Sequence, residues 1–179
     1  MTGIIKSYKG ISPKIHESAF IADTAVIIGD VEIGPESSIW YNCVVRGDLN
    51  KIRIGARTNI QDGTIIHVDA ATNTWEGIPT LIGDRVNVGH MALIHACTVE
   101  DDAFVGMGSI LLDGSLVESG AMVAAGALVT PNKRVLKGEL WGGSPAKCLR
   151  PLKPEELGYF KVVEDTYARL GVEHKLEQK

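Results

Sequence analysis

Aliphatic residues recur at every sixth position through most of the chain. The members of this series are Ile15, Ile21, Ile27, Ile33, Ile39, Val45, Ile54, Ile60, Ile66, Ile82, Val88, Ile94, Val99, Val105, Leu111, Val117, Val123 and Val129. Four positions after most of them stands a small or β-branched residue, as at Ala19, Ala25, Val31, Ser37, Cys43, Thr64, Ala92, Ser109, Ala121 and Ala127. A six-residue period is neither the 3.6-residue period of a helix nor a plain alternation. The pattern predicts short strands joined by tight corners, with each aliphatic residue pointing inward.

Glycine follows the aliphatic residue at several corners, namely Gly34, Gly55, Gly83, Gly89 and Gly106. Glycine suits a tight corner because it lacks a Cβ atom. With these glycines, the six-residue pattern resembles the hexapeptide repeat of left-handed parallel β-helix proteins, in which three repeats complete one triangular coil. This resemblance implies an all-β fold, a left-handed parallel β-helix, over residues 11–146.

The stretch "PEELGYFKVVEDTYARLG" has the character of a helix rather than of the repeat. Pro154 suits the first turn of a helix, and Gly171 suits the position after its last turn. Its larger apolar residues fall on one face, and they are Leu157, Phe160, Tyr167 and Leu170. We therefore expect a C-terminal α-helix over residues 154–171 that packs on the β-helix.

Three interruptions of the repeat point to a candidate site. They lie between Val45 and Ile54, between Ile66 and Ile82, and between Ile94 and Val99. Interruptions in a repeat array usually form loops, often on the binding side. When three repeats are counted per coil across these interruptions, the inward residues on one face of the triangle are Ile27, Val45, Ile66, Ile94, Leu111 and Val129. We call it face one, and the next two faces along the chain are faces two and three.

The residue after each inward position points outward, because neighbours on a strand alternate sides. On face one this outward column reads Ile28, Arg46, His67, His95, Leu112 and Thr130. Coils of such a fold stack ~4.8 Å apart, so His67 and His95 are close enough to bind one ion. His90 follows Val88 on face three and projects from another side of the prism. A site with three histidines would therefore need His90 from a neighbouring chain, in a threefold assembly.

Composition narrows the classes of partner. The chain has 179 residues with a formal net charge of −4 and no basic run, which argues against nucleic acid and anionic membranes. Only 6% of residues are aromatic while 20 are glycine, so large rings do not fill the core. The start "MTGIIKSYKG" lacks the apolar stretch of a signal peptide, which predicts a cytoplasmic location. The 3 cysteines show no CxxC spacing, and we expect reduced thiols.

Four segments carry a resemblance to a known family. They read "VVRGDLNKIRIGARTNIQDGTIIHV", "VGHMALIHACTV", "VGMGSILLDG" and "GGSPAK". Together they are similar to the γ-class carbonic anhydrases, which catalyse the reversible hydration of carbon dioxide to bicarbonate. The resemblance implies a homotrimer with a zinc ion, or iron or cobalt, held by three histidines between subunits. It places His67, His90 and His95 on the ligand positions.

The same resemblance assigns roles around the metal. Arg46 and Asp48 match an ion pair at the subunit interface, and for Arg46 a purely structural role competes with a catalytic one. Gln61 matches the residue that contacts the water on the metal. The further matches are Asn59 and Asp62 of "NIQD" and Tyr159, which matches an active-site tyrosine of the C-terminal helix.

The chain departs from the family pattern where acidic proton-shuttle residues are expected. The matching positions are occupied by Leu49 and an alanine near position 70, although Asp69 and Glu76 lie close in sequence. Proton release during catalysis is therefore expected to be slow unless Asp69, Glu76 or Tyr159 relays the proton.

Two other functions remain open on the sequence alone. Hexapeptide-repeat acyltransferases share this fold and the "GGSPAK" segment. Such enzymes need a general-base histidine and a coenzyme A groove rather than three histidines around an ion. The other alternative is a non-catalytic, metal-binding subunit of a trimer.

Overall fold

The computed structural model describes residues 3–178. The chain winds into a triangular prism of stacked parallel strands followed by a single C-terminal helix. The predicted all-β fold, a left-handed parallel β-helix with a C-terminal α-helix, is confirmed.

Faces one and two form a 12-stranded sheet, because two long strands bend around the corner between them. These long strands are β4 (Val26–Ile33) and β6 (Val44–Ile54). The other strands of face one are β1 (Ile4–Lys6), β8 (Ile65–His67), β11 (Leu93–His95), β14 (Ile110–Leu111) and β17 (Leu128–Val129). The other strands of face two are β2 (Lys14–Ile15), β9 (Thr80–Ile82), β12 (Thr98–Val99), β15 (Leu116–Val117) and β18 (Arg134–Val135).

Face three is an 8-stranded sheet closed by an antiparallel strand pair. Its strands are β3 (Phe20–Ile21), β5 (Ser38–Ile39), β7 (Asn59–Ile60), β10 (Asn87–Val88), β13 (Phe104–Val105), β16 (Met122–Val123), β19 (Glu139–Gly143) and β20 (Ala146–Pro151). Val88 pairs in register with Ile60 and Val105, and Ile94 pairs with Ile66 and Leu111. The assignment of faces from the repeat is therefore confirmed.

The core is the ladder of inward-pointing aliphatic side chains. Every member of the six-residue series is buried except Ile15 on the first coil, which is half-buried. Each fully buried Val, Leu or Ile stabilises the fold by roughly 1.5–3 kcal/mol relative to an exposed side chain.

Two thiols also lie inside the ladder. Cys43 and Cys97 are buried and free, and burial raises the pKa of each to about 12. Aromatic rings lie instead outside the ladder, where Phe20 and Trp40 meet the helix.

Close approach between coils explains the glycines that follow inward residues. A Cβ atom on Gly83 would lie 2.7 Å from the backbone nitrogen of Asp101, and one on Gly55 would lie 2.6 Å from the carbonyl carbon of Gly83. The left-handed corner positions lie elsewhere in the repeat. Some are glycines, such as Gly63, Gly108, Gly114, Gly120 and Gly126, and others are Asn42, Arg57, Arg85, Met91, Ala96, Asp102 and Asn132. At the positions after inward residues, glycine is thus needed because the next coil leaves no room for a Cβ atom, and not because the backbone has a positive φ.

The two insertions in the repeat form different structures. Between Val45 and Ile54 the extra residues remain in strand β6, whose pairing with β4 shifts register between Gly29 and Val31. Residues 68–79 form a loop between β8 and β9 that contains a bridge from Thr72 to Trp75.

Helix α1 (Pro154–Glu177) packs along face three. It extends beyond the range 154–171, so Gly171 lies inside the helix and not at its end. There Gly171 packs near Phe20, because a Cβ atom on it would lie 3.4 Å from the Phe20 Cβ. The predicted apolar face is partly wrong, since Leu157 is 45% exposed while Glu164 is buried beside Arg57. No helix of the described chain is long and apolar enough to cross a membrane.

Candidate metal centre

Two of the predicted histidine ligands lie side by side on face one. His67 pairs in register with His95, as Ile28 pairs with Arg46 one coil away. The Nδ1 atom of His67 lies 3.3 Å from the Nε2 atom of His95. Both side chains are mostly buried yet reach the surface. The outward column predicted from the repeat is thus present.

The spacing of these two nitrogens suits a shared ion. Two nitrogen ligands ~2.0–2.1 Å from a tetrahedral zinc ion lie about 3.3 Å apart. The same distance suits a hydrogen bond between the rings when one nitrogen carries a proton. The separation between His67 Nδ1 and His95 Nε2 is therefore the one that a shared zinc ion would require.

A carboxylate holds the other nitrogen of each ring. His67 Nε2 lies 3.0 Å from an oxygen of Asp48, and His95 Nδ1 lies 2.6 Å from an oxygen of Asp113. Arg46 donates to Asp48 over 2.5 Å. Partial burial acts to raise the pKa of Asp48, but the hydrogen bonds from His67 and Arg46 outweigh it and hold that pKa below its ordinary value.

His90 lies on a different side of the prism, just after β10. Its Nδ1 atom lies 2.9 Å from an oxygen of Asp62, and its Nε2 atom lies 3.4 Å from the hydroxyl of Tyr167. Burial raises the pKa of Tyr167, and the charge of Asp62 acts in the same direction. His90 thus repeats the arrangement of the other two rings, with a carboxylate on one nitrogen.

One chain does not bring the three histidines together. Within residues 3–178, no group of three or more His, Cys, Asp or Glu side chains is placed to hold a metal ion. The residues predicted for the site fall into two sets. Face one carries Arg46, Asp48, His67 and His95. Face three and its neighbouring corner and helix carry Asn59, Gln61, Asp62, His90 and Tyr159.

A chain of buried amides runs from Gln61 to the helix. Gln61 Nε2 donates to Asn59 Oδ1 over 3.0 Å, and Asn59 Nδ2 donates to Asn87 Oδ1 over 2.7 Å. Asn87 Nδ2 then donates to the backbone carbonyl of Phe160 over 3.1 Å. All three amide side chains are almost fully buried.

Asn87 and Asp113 are functional candidates that the sequence reasoning missed. Both could have been found from the repeat. Asn87 precedes the inward Val88 just as Asn59 precedes Ile60, and the two asparagines pair in register. Asp113 stands one coil of eighteen residues after His95.

A cavity of about 480 Å³ lies between face three and α1. Its polar lining residues are Gln61, His90, Thr166 and Tyr167. Its apolar lining includes Phe104, Met107, Met122, Val162 and Val163. Tyr159 also lines this cavity and is 57% exposed, whereas Tyr167 is the tyrosine that reaches His90.

The two expected proton-shuttle positions carry Leu49 and Ala70 rather than acids. Leu49 is 46% exposed on the bulged part of β6. In the adjoining loop, Asp69 accepts a hydrogen bond from the Trp75 indole over 2.7 Å, and Glu76 is exposed. The neighbouring Asn50 donates to the backbone carbonyls of Asp69 and Glu76, which ties the loop to the bulge.

Comparison with known sequences gives consistent matches. Residues 12–47 match the family described as "Bacterial transferase hexapeptide (six repeats)". The chain is 54% identical over 166 residues to "Gamma carbonic anhydrase 2, mitochondrial" of Arabidopsis thaliana, covering 93% of this chain and 60% of that protein. It is 42% identical over 176 residues to "Carbonic anhydrase" of Geobacillus kaustophilus, covering 98% of this chain and 93% of that protein. The chain therefore spans about three fifths of the plant relative and nearly all of the bacterial one.

Among solved structures, a hexapeptide transferase family protein from Anaplasma phagocytophilum has a similar fold. The two share 47% sequence identity and superpose with a TM-score of 0.88, covering 96% of this chain and 98% of that one. The match extends over both the prism and the C-terminal helix.

Proposed function

The chain belongs to the γ-class carbonic anhydrase family, and from that membership we propose that it catalyses the reversible hydration of carbon dioxide to bicarbonate. The site would use a metal ion held by His67 and His95 of one subunit and His90 of the next. The observation that carries the proposal is the shared pattern of the three rings, each with one nitrogen on a carboxylate. Metal-binding histidines are typically oriented in this way.

Zinc is the metal that this set of ligands suits, because three neutral imidazoles leave a fourth position open and lower the pKa of a bound water to ~7. The carboxylates of Asp48, Asp62 and Asp113 each occupy one ring nitrogen, so that His67 Nδ1, His95 Nε2 and His90 Nε2 are the atoms that would hold the ion. Ferrous iron and cobalt also accept imidazole ligands.

Residues beside the histidines would orient the substrates. Gln61 lies next to His90 in the cavity lining, and its Nε2 atom is engaged with Asn59. Its Oε1 atom would accept a hydrogen bond from the attacking water and direct the remaining lone pair at carbon dioxide. Arg46 holds Asp48 against His67 and lies on the face that would meet the neighbouring subunit.

The split of the three histidines between two faces supports a homotrimer. The ligand pair on face one and the single ligand on face three belong to different sides of one prism. A threefold arrangement that sets face one of each subunit against face three of the next would create three equivalent sites.

The test is carbon dioxide hydration measured by stopped flow on protein loaded separately with zinc and with ferrous iron. We expect activity in at least one metal form, and loss of activity together with bound metal in His95→Ala. His16→Ala is the matched control, because His16 is an exposed histidine whose side chain, within residues 3–178, forms hydrogen bonds only with Ser18. Full metal content without hydration at any buffer concentration would contradict the proposal.

The rate should depend on the buffer. A proton must leave the site in each cycle, and Leu49 offers no acid beside His67 to relay it. We expect hydration at low buffer concentration to be slow and to rise with added imidazole-type buffer. A fast rate that is independent of buffer would show that Asp69, Glu76 or Tyr159 relays the proton.

Acyl transfer is the second candidate, favoured by the similarity to the hexapeptide transferase family protein from Anaplasma phagocytophilum and by the apolar cavity beside His90. It requires one histidine as a general base and no metal. Metal-free protein that acetylates an amine or alcohol from acetyl coenzyme A, with activity unchanged in His67→Ala, would support this candidate.

A further inference from the structure

We infer that Asn87 is a positioning residue that fixes which atom of the Gln61 side chain faces the site. The inference deepens the proposed function and rests on it for its catalytic consequence. Its structural part concerns only the amides of Gln61, Asn59 and Asn87 and the backbone of α1.

The direction of the amide chain is set at its far end. The carbonyl oxygen of Phe160 only accepts hydrogen bonds, so the Asn87 atom that faces it over 3.1 Å must be the NH₂ group. The Oδ1 atom of Asn87 is thereby turned toward Asn59, 2.7 Å away.

The same logic passes through Asn59 to Gln61. An oxygen of Asn87 requires a donor from Asn59, so Asn59 presents Nδ2 to Asn87 and Oδ1 to Gln61. Gln61 must then use Nε2 inward, over 3.0 Å. Its Oε1 atom is left for the site, and among residues 3–178 no hydrogen bond uses that oxygen. An amide flip at any member would place two like groups face to face.

Because the three amide side chains are buried, reversing the direction of their hydrogen bonds would be costly. Asn59 and Asn87 are each 1% exposed and Gln61 is 5% exposed, so solvent does not replace a lost partner. On the neighbouring strands β5 and β13, the same outward position is held by Ser38 and Phe104. Ser38 already accepts a hydrogen bond from the Trp40 indole. Asn87 is therefore the link between the pair Asn59–Gln61 and the helix.

The consequence is that α1 determines the polarity at Gln61. With Oε1 outward, Gln61 accepts a hydrogen bond from the attacking water. With Nε2 outward it would donate instead and compete for the lone pair that the water needs for attack. Asn87 thus acts on the reaction through Gln61 without touching the substrate.

The test compares Asn87→Leu and Asn87→Ala with Phe160→Leu in metal-free protein. Phe160→Leu is the matched control because it loosens the packing of the helix but keeps the backbone carbonyl. Side-chain NH₂ signals are followed by ¹⁵N NMR, and the Gln61 pair is assigned by its loss in Gln61→Leu. We expect solvent exchange of the Gln61 NH₂ group to rise at least about tenfold in both Asn87 variants and to stay within about twofold in Phe160→Leu. Unchanged exchange in both Asn87 variants would overturn the inference.

The kinetic arm uses the same proteins loaded with zinc. We expect kcat for hydration to fall by about tenfold to a hundredfold in both Asn87 variants at unchanged zinc content, and by less than about twofold in Phe160→Leu. An equal loss in Phe160→Leu would assign Asn87 a merely structural role and overturn the inference. A wild-type protein without activity would contradict the proposed function, while the NMR result would still decide the orientation of Gln61.

Discussion

Each histidine of the candidate centre owes its orientation to an aspartate from a different part of the chain. Asp48 lies on the bulged strand β6, Asp62 lies at a corner beside β7, and Asp113 lies one coil after His95. A carboxylate on one ring nitrogen fixes the tautomer and makes the other nitrogen a better ligand. The resemblance to the γ-class family pointed to Asp48 and Asp62, whereas Asp113 required the stacking of coils.

At Asp113 the expected effect is on metal affinity. Removing the carboxylate frees the His95 ring to rotate and lowers its basicity, so Asp113→Ala should weaken zinc binding by about 10–100-fold. The measurement is competition with a chelator of known zinc affinity. Asp23→Ala, at an exposed position on an early coil, should leave the affinity unchanged. Equal affinity in both variants would show that the contact of 2.6 Å does not serve the metal.

At the scale of elements, the strands were more predictable than the helix. The six-residue period specified the inward ladder and the faces, because each strand repeats the same packing demand on the next coil. Helix α1 was predicted from its apolar residues, yet its buried stripe contains Glu164 and Gly171 and leaves Leu157 exposed. A buried glutamate depends on a partner distant in sequence, here Arg57, and such a pairing leaves no periodic signal.

The ion pair between Arg57 and Glu164 should anchor the helix. Breaking a buried pair costs roughly 3–5 kcal/mol, and we expect about 2 kcal/mol for Arg57→Ala because Arg57 is one-third exposed. The free energy of unfolding would be measured with urea. Adding Glu164→Gln to Arg57→Ala should restore part of the loss, since the uncompensated charge is then gone. Lys161→Ala, at a side chain that is 71% exposed and 3.6 Å from Glu164, should change stability by less than about 0.5 kcal/mol.

The start of the helix should respond to acid through Glu156. Two hydrogen bonds from Arg150 of 2.7 Å each, and one from the Lys153 backbone, lower the pKa of Glu156 to about 2. A carboxyl group whose pKa is lower in the folded state stabilises the fold above its unfolded pKa, near 4.5, and loses this effect as the pH falls toward 2. In metal-free protein, Glu156→Gln should therefore have a lower Tm than wild type at pH 7. The two Tm values should converge near pH 2.

The exposed neighbour Glu155 is the control for that measurement, because no side-chain hydrogen bond of Glu155 is present within the described chain. Glu155→Gln should follow the wild-type curve of Tm against pH. A difference between Glu156→Gln and wild type that persists at pH 2 would show that the carboxylate charge is not what stabilises the helix start.

At the scale of the whole molecule, the candidate site consists of two halves on different faces of the prism. The loop of residues 68–79 after His67 and the bulge after Arg46 flank the pair on face one, while His90 is carried on face three without an insertion of its own. This division was predictable, because the face of each residue follows from counting repeats. The pairing of Asn87 with Asn59 also follows from the repeat, but the contact of Asn87 with Phe160 was not predictable, because it depends on where a separate helix docks.

A shared centre makes a specific prediction for mixed subunits. His67→Ala keeps an intact face three, and His90→Ala keeps an intact face one, so neither variant alone should hold the metal. If the two are unfolded together in equal amounts and refolded, three quarters of random cyclic trimers are mixed and each mixed trimer regains one of its three sites. Bound zinc should therefore return to about one quarter of the wild-type content. Mixing His67→Ala with His95→Ala should restore nothing, because both changes fall on the same half of every site. Sedimentation would confirm that the species carrying zinc is a trimer, and a monomer with full metal content would contradict the shared centre.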